Sequence, residues 1–138
     1  MFRRIGSGLL VALFFASLSG CQKVPPPIAE AEGEVTYDGK PVPNGIISFI
    51  PEGTERATGG GAILAGRYRV YPEVGLAPGK YRVEIRWAKA TGEKKKEVVY
   101  GHSSDIFAEA LPEKYNTQSV LTAELIAGKN DVPFLLEK

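Results

Sequence analysis

Few residues in this chain have the types that make or break bonds. His102 is its only histidine and Cys21 its only cysteine. A Ser-His-acid triad would have to recruit His102. Its neighbours Ser103 and Ser104 are adjacent in sequence, which is not triad geometry. No Gly-x-Ser-x-Gly elbow occurs after residue 21. His102, Asp105 and Glu109 offer one imidazole and two carboxylates at loop spacing, a weak pattern for a divalent ion. No EF-hand run is present. Gly59-Gly60-Gly61 lacks the Gly-Lys-Ser/Thr and the helix of a phosphate loop, and suits a bulge or a close backbone approach instead. These patterns predict no enzyme, no cofactor and no metal.

Charge and aromatic rings offer binding rather than catalysis. Lys94, Lys95 and Lys96 lie in a segment, 88–118, that reads as one long loop. Long loops are usually functional or disordered. Glu93 and Glu97 offset the lysines in part, and the plain reading is a solvated loop tip. The functional reading is a contact with anionic lipid headgroups or acidic glycans. Tyr100, Phe107 and Tyr115 in the same segment could form an aromatic platform for a carbohydrate or small ligand. Ile106–Leu111 has the composition of one short helical turn, stopped by Pro112. Arg67, Arg69, Arg82 and Arg86 would share one exposed face if their strands pair as a hairpin, with Glu84 in the same row. Such a stripe could meet a carboxylated or sulfated polysaccharide, but cross-strand charge pairing on a wet face is the favoured reading.

Composition limits the partners. The chain has 138 residues, with 17 basic and 16 acidic side chains for a net charge of +1, so nothing points to nucleic acid. A hydrophobic fraction of 43% and a charged fraction of 24% fit one ordinary folded domain. A single cysteine cannot form an internal disulfide.

The first residues explain that cysteine. Arg3 and Arg4 precede the short apolar run Leu9–Leu18, too short to span a bilayer comfortably, and small residues follow. This is the pattern of a secretory signal peptide. Leu18-Ser19-Gly20-Cys21 resembles the lipobox of bacterial lipoproteins. The resemblance implies a diacylglyceryl group on the Cys21 thiol, cleavage before Cys21, and acyl chains such as palmitate that hold the protein to a membrane. Each buried CH₂ would contribute ~0.8 kcal/mol, so two or three chains attach it effectively permanently. Gln22, rather than Asp, leans toward the outer membrane by the same resemblance. Loss of Arg3 and Arg4 leaves 15 basic and 16 acidic residues, a net charge of −1.

Residues 21–32 read as the lipidated cysteine and a tether stiffened by Pro25-Pro26-Pro27. From Gly33 to Lys138 the pattern is strand, turn, strand. Tyr81, Val83, Ile85 and Trp87 alternate with Lys80, Arg82, Glu84 and Arg86, giving one buried and one wet face. Asp38-Gly39, Ala65-Gly66 and Pro78-Gly79 supply turns, and Ala127–Asn130 reads as another. About seven short strands without a long helix predict an all-β, seven-stranded antiparallel sandwich of two sheets. The expected core is Val35, Tyr37, Ile46, Phe49, Ile63, Tyr68, Val70, Tyr81, Val83, Ile85, Trp87, Leu121, Leu125, Phe134 and Leu136.

Glu34–Gly45 resembles the opening of carboxypeptidase regulatory-like domains, which are transthyretin-like (prealbumin-like) β-sandwiches akin to the Ig-like class. Gly66–Val70 and Leu76–Val83 are similar to the core of that family. In metallocarboxypeptidases the module is accessory, so the resemblance implies no activity. The chain is therefore expected to be an exported, lipid-anchored envelope protein with a non-enzymatic interaction or structural module. Its partner would be an envelope protein or glycan. The competing expectation is a carbohydrate- or small-ligand-binding surface lipoprotein.

Overall fold

The computed structural model describes residues 23–53, 58–96 and 103–138. Eleven strands run in chain order as β1 (Ala29–Tyr37), β2 (Lys40–Pro41), β3 (Asn44–Pro51), β4 (Gly59–Leu64), β5 (Arg67–Val70), β6 (Gly79–Arg86), β7 (Ala88–Lys96), β8 (Ser103–Glu109), β9 (Leu121–Leu125), β10 (Gly128–Asp131) and β11 (Phe134–Leu136). The only helical elements described are two single 3-10 turns, Pro72–Val74 and Glu113–Tyr115. The protein is the expected all-β sandwich, with more strands than the seven expected.

The larger layer is a curled sheet in the order β10-β1-β5-β4-β3-β6-β9. β1 is shared between layers. Its first half pairs with β10 and β5, and its last three residues pair with β11 and, in part, with β2. The β10 and β11 pairings are parallel, unlike the purely antiparallel arrangement expected. Phe49, Tyr68, Tyr81 and Phe134 meet inside with ring centroids 6.0 to 6.1 Å apart, and Val35, Val70, Val83, Ile85 and Leu136 pack around them.

Turn chemistry sets the hairpins. Asp38 and Gly39 both have positive φ (51° and 75°), as a two-residue hairpin turn requires. Ala65 and Gly66 (50° and 77°) do the same between β4 and β5. The handover of β1 from one layer to the other depends on Gly33. A Cβ there would collide with the backbone of Val132 and Pro133, where β10 breaks and β11 begins. Val132 donates its N–H to Glu32 O (2.8 Å), and its own carbonyl accepts the Tyr68 hydroxyl (2.7 Å). Gly60 permits a similar approach to the Ile47 carbonyl, consistent with the expected role of the triple glycine.

Several expectations are corrected. β1 begins at Ala29, inside the segment read as tether, and Ala29 and Ala31 are fully buried. The alternation of small inward residues with Glu30, Glu32 and Glu34 was a strand all along, hidden because its inward side chains are only Ala and Gly. Gly128–Asp131 is a strand rather than a turn. Ile46 is 59% exposed, and Ile47 takes its place in the core. Ile47 lies opposite Ile85 in the ladder, and a one-residue slip in strand parity inverts the faces. Ile106–Glu109 is extended, because β8 pairs with β7 rather than closing a helical turn.

Two measurements follow. Gly33→Ala should cost roughly 1–3 kcal/mol in urea unfolding, the range for forced overpacking, because the obstructing atoms are backbone; a midpoint equal to wild type would contradict the close approach. Burial, with Asp131 and Glu32 nearby, pushes the Tyr68 phenol well above its ordinary value of 10.0. Its raised native pKa gives stability that is intact below about pH 10 and declines above it. Tyr68→Phe should be less stable at neutral pH, having lost the Val132 hydrogen bond, yet lose less between pH 9 and about 11. Parallel declines for the two proteins would refute this assignment.

Candidate functional site

Within the segment expected to be a loop, residues 88–96 and 103–109 form an arm of two strands instead. Among the described residues β7 and β8 pair only with each other, and all sixteen of their residues are exposed. Opposed pairs run from Ala88 and Glu109 at the base to Lys96 and Ser103. The ladder slips between Ala90 and Lys94, where Gly92 takes φ 87° and Thr91 Oγ1 donates to Ile106 O (3.0 Å). Such a two-stranded ribbon contributes no core and is marginally stable by itself.

Its base is clamped to the body. One Glu109 carboxylate oxygen accepts the N–H groups of Trp87 (3.0 Å) and Leu111 (3.1 Å), and Ala110 N–H donates to Trp87 O (2.9 Å). Below the clamp lies an open cleft of about 290 Å³, bordered by Trp87, Lys89, Ala110, Lys138 and the Tyr37–Pro41 corner. The Lys89 ammonium sits over the Trp87 ring, 5.8 Å from its centroid. Lys138 pairs with Asp38 at 3.0 Å, and that hydrogen bond raises the ammonium pKa. The cleft thus gathers Lys40, Lys89 and Lys138 around one indole, with Asp38 as the acidic side chain in its lining.

The proposed binding residues divide three ways. Lys94, Lys95, Lys96 and Phe107 are exposed on the arm, with Phe107 at 60%. Lys94 lies opposite Asp105 in the ladder. Tyr115, expected in an aromatic platform, is buried at 7%. Its hydroxyl accepts from Glu137 N–H (2.9 Å) and donates to Glu137 O (2.9 Å), stitching the segment after the arm to the last strand. Asn116 beside it is buried, with its side-chain amide donating to Pro112 O (3.2 Å). Cys21, Tyr100 and His102 lie outside the described residues, as does the whole signal-peptide pattern. Asp105 and Glu109 belong to the arm, and Glu109 is committed to its base.

The arginine stripe is also corrected. β4 and β3 separate β5 from β6, so Arg67 and Arg69 are far from Arg82 and Arg86 across the sheet. Arg69 lies near Glu30 and Glu32 (3.7 and 3.8 Å), and Glu84 sits between Arg82 (2.9 Å) and Arg86 (3.2 Å). A depression of about 400 Å³ beside Arg67, Arg69 and Tyr71 is therefore nearly balanced in charge. The arm-base cleft is not, which makes it the stronger candidate. Sequence reasoning missed it because its walls come from residues near 40, near 88 and at 138. No local pattern joins them.

No protein-family model, curated protein or solved structure matches the chain.

Replacing 89–108 by a short Gly-Ser linker should leave the urea midpoint of the body within about 0.5 kcal/mol of wild type, since the described residues of β7 and β8 are all exposed. A loss of several kcal/mol would mean the arm is part of the folding unit.

Proposed function

We propose that this chain is an exported, lipid-anchored protein of the bacterial cell envelope. Its sandwich is a non-enzymatic carrier, and the β7–β8 arm is its partner-binding element. The supporting observation is the arm. It exposes lysines and Phe107, pairs with nothing else among the described residues, and stands on a clamped base. A ribbon that adds nothing to the core is a feature for contact rather than stability. The anchor rests on the lipobox-like Leu18-Ser19-Gly20-Cys21, and the transthyretin-like relationship rests on the Glu34–Gly45 and Leu76–Val83 motifs. The outer membrane is favoured by Gln22. The loop-platform version of carbohydrate binding loses support, because Tyr115 is buried.

The anchor is tested by growing cells with a clickable fatty acid. Wild type should take up label and shift to the membrane fraction, and Cys21→Ser should do neither. Equal labelling of the two proteins would remove the anchor from the proposal.

A further inference from the structure

The sheet ladder fixes where the arm stands relative to the N-terminal end. Each step from β1 through β5, β4 and β3 to β6 is antiparallel, so β6 runs in the same direction as β1. β1 starts where Ala29 N–H donates to Leu76 O (2.7 Å), close to the start of β6. It ends at the Asp38-Gly39 turn, which borders the cleft at the arm's base. Nine strand residues separate the two ends, about 30 Å. The arm and its cleft therefore stand at the opposite pole from the point where residue 28 enters the sandwich.

The cleft continues onto the arm. Lys89 lies opposite Ala108 and Lys95 opposite Ser104, while Ala90, Lys94 and Lys96 alternate onto the other face. Strand parity places Lys89 and Lys95 on one face, so ammonium groups follow one another from the cleft outward. On β8 the same face carries Ala108, Ile106 and Ser104, none of them charged, while Glu93 falls in the irregular stretch between the two lysines. Asp38, already paired with Lys138, is the acidic side chain lining the cleft. An indole beside several ammonium groups suits a sugar ring that carries a carboxylate. The ring packs on the aromatic side chain and the acid meets the cations.

We infer that the Trp87 cleft and the Lys89–Lys95 face above it form a binding site for an acidic glycan, presented away from the anchored end. The inference rests on the proposed anchor only for its orientation. The anchoring bilayer, which the lysines alone would also suit, lies at the other pole. The site itself stands without the anchor.

Trp87 is the only tryptophan in the chain, so its fluorescence reports on the cleft directly. The full chain in neutral detergent micelles is titrated with polygalacturonate, with neutral dextran, and with vesicles of anionic phospholipid. Polygalacturonate should shift the Trp87 emission saturably, and added salt should weaken the response. Dextran and the vesicles should leave it unchanged. Lys89→Glu with Lys95→Glu should weaken polygalacturonate binding about tenfold or more, whereas Lys129→Glu, outside the cleft, should not. No response to polygalacturonate at low salt, or an equal response to the vesicles, would overturn the inference. Acyl labelling of Cys21 is read separately, so loss of the anchor and loss of the glycan site are distinguishable.

Discussion

The meeting of Gly33 with the Val132-Pro133 backbone is the contact on which the architecture turns. A strand can serve two layers only if something lets the neighbouring chain change course beside it. Here the absence of a Cβ at Gly33 admits the break between β10 and β11. The Tyr68 hydroxyl then satisfies the Val132 carbonyl that the break exposes. With that carbonyl capped, β1 pairs with β10 at its start and β11 at its end, and the two layers close over one aromatic cluster. Asn130 secures the adjacent corner, its amide donating to Glu30 O (2.8 Å) and Ile126 O (2.9 Å) while its carbonyl oxygen accepts Ile126 N–H (2.9 Å).

That closure has a directional consequence. Because β1 and β6 run the same way, the chain enters the body at one end and leaves it for the arm at the other. The buried rings lie within the sandwich, and the ribbon that exposes Lys89, Lys94, Lys95 and Lys96 stands apart from them. Glu109 is the joint between these parts, since one carboxylate oxygen accepts two backbone donors at the base. It is an acidic residue whose structural task limits its availability for other chemistry.

Much of this was legible in the residues. The strict alternation of Lys80–Trp87 predicted β6 and its faces, because a half-buried strand must repeat every second residue. Asp38-Gly39 announced its turn through residue types suited to positive φ, and Gly66 marked the second turn, although Ala65 beside it also takes positive φ (50°). Where side chains were small or charged on both faces, the pattern gave no guide. Ala29–Glu32 looked like tether, Gly128–Asp131 like a turn, and β7–β8 like a loop, because none of them shows a row of large apolar residues. Long-range pairing was equally hidden. The arginines of β5 and β6 seemed to be neighbours, yet the chain inserts β3 and β4 between those strands. The cleft was beyond sequence reading for the same reason, since the Asp38 corner, Trp87 and Lys138 meet only through the ladder.

The separation of the two poles is open to direct measurement. Spin labels placed at positions 28 and 103, in a Cys21→Ser background, report the distance from the entry strand to the outer part of the arm by pulsed electron resonance. A body about 30 Å long with a free arm beyond it predicts a separation above about 35 Å. A main population below about 25 Å would show the arm folded back along the sandwich, and the account of opposite ends would fail.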